Sequence, residues 1–149
     1  MSDNIKPPLL FWVISVIALL WHIFGAVQFT GSVMATPEGM QPYVDSGQLT
    51  QDYVDVLLNI PAWVTAAFGI ATIGGAIASV CLLLRKKIAA PIFMLSLAGA
   101  LVMYLYMFVL SGKANVMPTS DFIIAGVVTV VTIFMIWFAR RKTASGILN

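Results

Sequence analysis

The stretch from Pro61 to Lys87 reads PAWVTAAFGIATIGGAIASVCLLLRKK, in which twenty-four residues without a formal charge precede three consecutive cations. A helix rises about 1.5 Å per residue, so the hydrocarbon core of a bilayer, about 30 Å thick, requires roughly 20 apolar residues. This stretch therefore predicts a membrane-spanning helix. The cations that follow it predict that this end of the helix lies in the cytoplasm.

Small residues recur at every fourth position of this stretch, which leaves one helix face almost free of side-chain bulk. The residues are Ala67, Ala71, Gly75 and Ser79. Membrane helices use such faces to let a neighbouring backbone approach closely, because lipid supplies no hydrophobic force between helices. We expect this face to be the main helix-packing seam. Facing surfaces are expected from two later stretches: Ser96 with Gly99 and Ala100, and Gly126 with Thr129.

The composition of the whole chain fits a protein in lipid. Its 149 residues are 60% hydrophobic and 9% charged, whereas soluble domains contain about 25% charged residues. A water-soluble chain of this length could not bury so much apolar surface. The single cysteine, Cys81, excludes an intramolecular disulfide. Most of the polypeptide is therefore expected to contact the bilayer.

Four apolar stretches predict four spans, at about 9–30, 61–84, 88–111 and 121–139, and an outer loop at 31–60. Only three residues separate the second and third spans, which predicts a tight antiparallel hairpin. We predict one domain, 1–149, of the all-α class. Its architecture is a four-helix transmembrane bundle with a short helical extracytoplasmic loop.

The distribution of cations predicts the orientation of the bundle. Seven of the eight cations fall on one side of the predicted spans: Lys6, Arg85, Lys86, Lys87, Arg140, Arg141 and Lys142. Lys113 falls on the other side, and the outer loop contains acidic residues but no lysine or arginine. Because cytoplasmic loops carry an excess of cations, both termini are expected in the cytoplasm.

An alternative reading makes residues 1–35 a cleaved signal peptide, since Val33-Met34-Ala35 resembles a cleavage site. The apolar run has about 21 residues, whereas the apolar region of a signal peptide has about 7 to 15. We therefore favour a retained first span.

The outer loop contains two predicted helix starts, Thr36-Pro37-Glu38 and Thr50. Threonine is a favoured N-cap, proline suits the first helical position, and an acidic residue complements the helix dipole. After Thr50, the residues Tyr53, Leu57 and Ile60 share one face. That spacing predicts a short amphipathic helix on the membrane surface; an irregular docked loop is the alternative.

His22 is the one ionisable residue deep within a predicted span. It shares a face with Ser15, Ala18, Gly25 and Phe29, and this small, polar face is expected to point into the bundle. Ionisable groups inside membranes often mark functional sites. The alternative is a neutral histidine that only hydrogen-bonds a neighbouring helix.

Four other polar residues lie toward the outer ends of the spans. Gln28 is expected to join a polar layer with His22, and Tyr104 or Tyr106, which alternate faces, is expected to point into the bundle. Asp121 opens the fourth span, where a carboxylate can cap the free N–H groups of the helix. We therefore predict a capping role for Asp121.

The chain lacks the residues that several classes of function require. One histidine and one cysteine cannot form a His/Cys metal site, and a Ser/His/Asp grouping cannot be assembled at one depth. Gly74-Gly75 lies within an apolar helix and not in a phosphate-binding loop. No basic patch with interleaved aromatic residues indicates nucleic-acid binding. We expect that the protein is not an enzyme and that it binds no cofactor and no metal.

Three stretches together resemble a known family. They are Leu20-Trp21-His22-Ile23-Phe24-Gly25; Pro61-Ala62-Trp63-Val64 with Gly74-Gly75 and Leu82-Leu83-Leu84-Arg85-Lys86; and Ala90-Pro91 with Leu95-Ser96-Leu97. The chain resembles, over roughly residues 9–140, small four-helix bacterial inner-membrane proteins that are sometimes loosely labelled sugar transporters. The resemblance implies a bacterial inner-membrane location and this fold. In the family an asparagine usually stands at the position of His22, which favours a hydrogen-bonding role there.

Two function classes remain after these exclusions. The first is a transporter of a small, sugar-like solute, with His22, Gln28 and Tyr104 lining a polar route. The second is an accessory or structural subunit that binds a larger membrane partner. Four short helices leave little room for a solute path within one chain, so transport is expected to require a homo-oligomer. The second class implies a larger membrane complex.

Overall fold

The computed structural model describes residues 6–149. The expected position of the N-terminus and the first five residues of the predicted domain lie outside the described residues. Six α-helices are present, and no strand occurs in residues 6–149. They are α1 (Leu9–Val33), α2 (Pro37–Asp45), α3 (Gln51–Leu58), α4 (Ala62–Leu83), α5 (Ala89–Leu105) and α6 (Thr119–Ala144). The α5 helix continues into a π-helical turn at Tyr106–Leu110, and a 3₁₀ turn follows at Ala114–Val116.

Four of these helices are long and apolar enough to cross a membrane: α1, α4, α5 with its π-helical turn, and α6. The predicted all-α fold with a four-helix bundle is confirmed, and the chain is a multi-pass integral membrane protein. The α6 helix starts at Thr119 and extends through the Arg140–Lys142 cations to Ala144, so it is longer than the predicted span. The α1 helix likewise extends to Val33.

The two ends of the bundle differ in composition. We call the end with the Arg85–Lys87 turn and residues Arg140–Lys142 the basic end, and the end with α2, α3 and residues 111–118 the loop end. The α4 and α5 helices form the central pair, with α1 packed on α4 and α6 packed on α5. Among the described residues α1 and α6 form no interface of comparable extent. They meet at the basic end, where Phe11 stacks on Phe138 at 6.0 Å.

The small-residue face of α4 contacts two helices and not one. A Cβ atom on Gly99 of α5 would lie 2.6 Å from the Ala67 carbonyl oxygen, and Ser96 donates a hydrogen bond to the Ala71 carbonyl at 2.5 Å. Ala67 and Ala71 therefore face α5. A Cβ atom on Gly75 would overlap the imidazole of α1, so this part of the face meets α1.

The expected facing surface in α6 is partly wrong. A Cβ atom on Gly126 would have no neighbour within 4 Å, and the Thr129 hydroxyl bonds its own helix at the Ala125 carbonyl. Gly126 faces away from the other helices because α6 packs on α5 and not on α4.

Residues 147–149 close the basic end, a contact that no pattern in the sequence predicts. The Asn149 amide donates to the Arg85 carbonyl at 2.7 Å, and the Lys87 amide donates to the Asn149 carbonyl at 2.9 Å. The Arg85 Nε donates to the Ile147 carbonyl at 2.9 Å. Ile147 and Leu148 are buried in the main core. The tail thus joins the α4–α5 turn to the end of α6.

The two loop helices begin where the sequence predicts them. The Thr36 Oγ1 accepts a hydrogen bond from the Gly39 amide at 3.1 Å, and the Thr50 Oγ1 accepts one from the Tyr53 amide at 3.3 Å. The predicted apolar face of α3, with Leu57, packs on the protein in a cluster built around Val56, Met107 and Met117. The apolar face of α3 therefore contacts the protein at the end of α5. The position of this helix at the membrane surface stays a prediction.

Candidate functional site

A cavity of about 280 Å³ lies between α1, α4, α5 and α6 in the half of the bundle nearer the loop end. Twelve of its nineteen lining residues are apolar or glycine. The polar ones are His22, Gln28, Thr72, Ser96, Tyr104, Asp121 and Thr132. All three residues that the sequence singled out for a polar route, His22, Gln28 and Tyr104, therefore line one cavity. A mostly apolar pocket with a few converging polar groups is typical of a small-molecule site.

The His22 imidazole lies at the inner limit of the cavity and is 6% exposed. Its Nδ1 lies 2.7 Å from the Ala18 carbonyl oxygen and 3.1 Å from the Ser79 hydroxyl. The Phe93 ring packs against it at 5.6 Å between centroids. Ala18, Ser79 and Phe93 come from three different helices, so α1, α4 and α5 together fix the orientation of the ring.

The hydrogen bonds around His22 assign its tautomer. A carbonyl oxygen only accepts, so Nδ1 carries the proton and donates it to Ala18. The Ser79 hydroxyl donates to the Gly75 carbonyl at 2.9 Å, so its oxygen accepts from Nδ1. In the neutral ring Nε2 is then an acceptor. Nε2 has no hydrogen-bond partner among residues 6–149, and it is not fully buried, because every fully buried side-chain nitrogen or oxygen there is paired. The edge of the ring that carries Nε2 lies beside Gly75 of α4.

Three residues of the cavity wall carry hydroxyl groups, namely Thr72, Ser96 and Thr132. Each hydroxyl proton is donated to a backbone carbonyl, which leaves the oxygen able to accept a further bond. The pairs are Thr72 with Phe68 at 3.0 Å, Ser96 with Ala71 at 2.5 Å, and Thr132 with Val128 at 2.8 Å. The deep part of the cavity is therefore rich in hydrogen-bond acceptors.

Gln28 and Tyr104 are the uncommitted polar side chains of the cavity. Neither makes a hydrogen bond to a residue in the described part of the chain, and the Tyr104 ring stacks on Phe108 at 5.9 Å. Gln28 is exposed and Tyr104 is half-buried. Tyr106, the alternative to Tyr104, packs edge-on against Trp63 at 5.5 Å instead. Both a donor and an acceptor are thus available at Gln28 and at Tyr104.

Asp121 belongs to this site, which the sequence analysis missed. The predicted capping bond is wrong, because α6 is preceded by Pro118 and no side chain caps it, although Asp121 does lie in the first turn, where a carboxylate complements the helix dipole. The Tyr53 hydroxyl of α3 instead donates to Asp121 Oδ2 at 2.6 Å. Burial raises the pKa of Tyr53 above its usual range, and the hydrogen bond to Asp121 and its charge raise it further. The two partners are separated by 68 positions along the chain, so no local sequence pattern indicates this pair.

The cavity does not continue to the basic end. On that side of His22 the bundle is filled by a core that includes Phe11, Leu82, Phe93 and Phe138. Lining residues on α6 run from Asp121 to Thr132 only. The cavity is a pocket in the loop half and not a channel through the bundle.

The remaining predicted site residues lie outside the cavity, apart from Ala71 at its wall. Ala67, Gly75 and Ser79 are buried at helix contacts. Lys86 and Lys87 are exposed and Arg85 is half-buried at the basic end. The cations of α6 contact apolar groups: Arg140 the Met94 sulfur at 3.9 Å, Arg141 the Trp137 ring at 5.1 Å, and Lys142 the Phe138 ring at 5.2 Å.

Within residues 6–149 no group of three His, Cys, Asp or Glu side chains is placed to hold a metal ion. No family model, curated protein or solved structure matches the chain. The resemblance to small four-helix bacterial inner-membrane proteins therefore stays a prediction.

Proposed function

We propose that this protein binds a small solute in the cavity and carries it across the membrane. The observation that supports the proposal best is the convergence of His22, Gln28 and Tyr104, from two helices, on one cavity. Polar groups inside a membrane protein are costly unless they are paired. A bundle that leaves Gln28, Tyr104 and the Nε2 atom of His22 without partners beside a cavity is well suited to pairing them with a solute.

Uptake into proteoliposomes tests this proposal. The probes are a labelled hexose, xylitol and phenethylamine, each offered to the wild type and to His22→Ala. Ser15→Ala is the matched control, since Ser15 is buried on the same α1 face, bonds Phe11 at 2.7 Å and does not line the cavity. We expect uptake of at least one probe, lost in His22→Ala and kept in Ser15→Ala. Equal loss in both variants, or no uptake by folded wild type, contradicts transport through this cavity.

The second candidate is an accessory membrane subunit, and two observations favour it. The cavity is closed on the side of the basic end, so transport requires a second conformation. The α2 helix buries none of its residues and exposes Tyr43, which leaves it available to a partner. Purification from the native membrane in mild detergent tests this role. A stoichiometric companion lost when Tyr43→Glu is introduced supports a subunit, whereas a homogeneous single protein argues against it.

We also propose a bacterial inner-membrane location with the basic end in the cytoplasm, and a kinship with the family that the chain resembles. The excess of cations at one end supports this orientation. The test uses a variant without Cys81, expressed in intact cells and treated with a maleimide that does not cross membranes. The reagent should fail to label a cysteine introduced next to Lys142. It should label one placed in α2 at Gly39, and the opposite pattern would invert the orientation.

A cavity within one chain makes oligomerisation less necessary for solute binding than the sequence suggested. A homo-oligomer or a larger complex is still proposed for transport, because the path through the basic half is closed. We propose a non-catalytic role; this is supported by the hydrogen bonds of His22 among residues 6–149, which join it to a backbone carbonyl and to Ser79 and not to a carboxylate.

A further inference from the structure

We infer that the cavity takes an organic cation, namely a protonated primary amine that carries an apolar body. This inference rests on the proposed function only in that it concerns the same cavity. It follows from the identity of the donors, acceptors and charges that line the cavity.

Most polar atoms of the cavity accept hydrogen bonds. His22 offers the Nε2 lone pair, and the hydroxyl groups of Thr72, Ser96 and Thr132 have donated their protons to backbone carbonyls. Only Gln28 and Tyr104 keep uncommitted donors. A ligand that fits this lining must itself donate hydrogen bonds, and an ammonium group offers three donors and no acceptor.

The formal charge of the lining has one sign. Asp121 contributes a carboxylate, and none of the nineteen lining residues is lysine or arginine. An anionic ligand would meet a like charge at Asp121 and mostly acceptor atoms, with free donors at Gln28 and Tyr104 among the described lining residues, in surroundings where water screens little. The lining therefore disfavours a carboxylate or phosphate solute and favours a cation.

The Asp121 carboxylate has capacity left for such a ligand. Its Oδ2 accepts the Tyr53 hydroxyl at 2.6 Å, while its Oδ1 has one long contact of 3.5 Å, from the Ser120 hydroxyl. An ionised carboxylate offers about four lone-pair sites. An ammonium can thus bind Oδ1 without displacing Tyr53.

The apolar walls of the cavity favour an amine over a polyol as the ligand. Five aromatic side chains line the cavity, namely Trp21, Phe24, Phe68, Tyr104 and Phe108. Their ring faces attract cations and accommodate an apolar body, whereas any polyol hydroxyl group that lies against these rings lacks a hydrogen-bond partner, which is unfavourable. Asp121 and Thr132 stand eleven residues apart on α6, about 16 Å at the helical rise. That length accommodates a charged group at one end and an apolar body behind it.

Equilibrium binding to the purified protein in nanodiscs tests the inference. Four probes of similar size are compared by calorimetry: phenethylamine, 2-phenylethanol, phenylacetate and xylitol. We expect phenethylamine to bind at least tenfold more tightly than 2-phenylethanol, and phenylacetate not to bind. Because a hydrogen bond to a charged group contributes about 1.5–3 kcal/mol, Asp121→Asn should weaken phenethylamine binding about tenfold or more and leave 2-phenylethanol binding unchanged.

Tyr53→Phe is the matched variant for Asp121→Asn. Asparagine keeps an oxygen that accepts the Tyr53 hydroxyl but removes the charge, whereas Tyr53→Phe keeps the charge and removes the hydrogen bond. The inference requires the amine preference to survive Tyr53→Phe and to disappear in Asp121→Asn. If xylitol binds in a manner that depends on His22 while phenethylamine does not bind, the inference is wrong and the proposed function stands. Absence of binding by all four probes to folded protein overturns the inference, and the proposed function then depends on the uptake assay.

Discussion

Replacing Gly75 by alanine should destabilise the bundle by displacing the His22 ring. A Cβ atom at position 75 would overlap the imidazole. The ring is held by its Nδ1 hydrogen bonds to Ala18 and Ser79, so it cannot rotate away without breaking them. The alternative is a separation of α1 from α4, which would loosen one of the two most extensive helix contacts of the bundle.

The expected cost follows from these two routes. Overpacking a well-packed contact costs about 1–3 kcal/mol, and each lost hydrogen bond costs about 1 kcal/mol. Alanine also gains about 0.5–1 kcal/mol over glycine in any helix. Gly126→Ala shares that gain but meets no neighbour within 4 Å. We therefore expect the unfolding free energy of Gly75→Ala to lie about 3 kcal/mol below that of Gly126→Ala.

The measurement is equilibrium unfolding in mixed micelles with a rising fraction of SDS, followed by circular dichroism. A double-mutant cycle with His22→Ala assigns the cost to the ring, because residues in contact are coupled. Gly75→Ala should cost at least about 1 kcal/mol less once the imidazole is absent. Equal stability of Gly75→Ala and Gly126→Ala, or an additive cycle, would refute the proposed contact.

Three further predictions concern single contacts. Tyr53→Phe should lower the unfolding free energy by about 1.5–3 kcal/mol, because the hydrogen bond to the Asp121 carboxylate is lost. Hydrogen exchange of the backbone amides in α3 should become faster, and unchanged exchange would mean that this bond does not hold α3 on the bundle. Leu148→Ala should cost about 2 kcal/mol in the same micelle unfolding assay, because this tail residue is 4% exposed, and a neutral result would show that the tail does not close the basic end. Gly99→Ala should lower the unfolding free energy by about 2 kcal/mol or more, since its Cβ would lie 2.6 Å from a backbone oxygen. Gly74→Ala, whose Cβ would have its nearest atom at 3.7 Å, should be neutral in the same assay. Equal effects of the two substitutions would contradict the close approach of α5.

Local patterns in the sequence predicted the features that depend on neighbouring residues. Apolar runs of about 20 residues predicted the four long helices, since the thickness of the bilayer determines the length of a span. Thr36 and Thr50 cap the loop helices as predicted, because an N-cap bond closes within three residues.

Contacts between distant residues escaped the sequence analysis. Nothing in the sequence pairs Tyr53 with Asp121, or the C-terminal Asn149 with the turn at Arg85. Asp121 therefore received a local role as a cap that it does not have. His22 was recognised as exceptional by its depth in a span, but its bond to Ser79 depends on how α1 and α4 pack.

The glycine at position 75 links the stability of the bundle to the cavity. Because Gly75 has no side chain, the His22 ring fits against the α4 backbone, where Ser79 and Ala18 hold Nδ1. With Nδ1 bound on one side, the Nε2 lone pair has a fixed position and does not have to be ordered when a ligand arrives. Sites that are organised before binding avoid this entropic cost. Substitutions that only loosen the α1–α4 contact should therefore weaken ligand binding even though they do not touch the ligand.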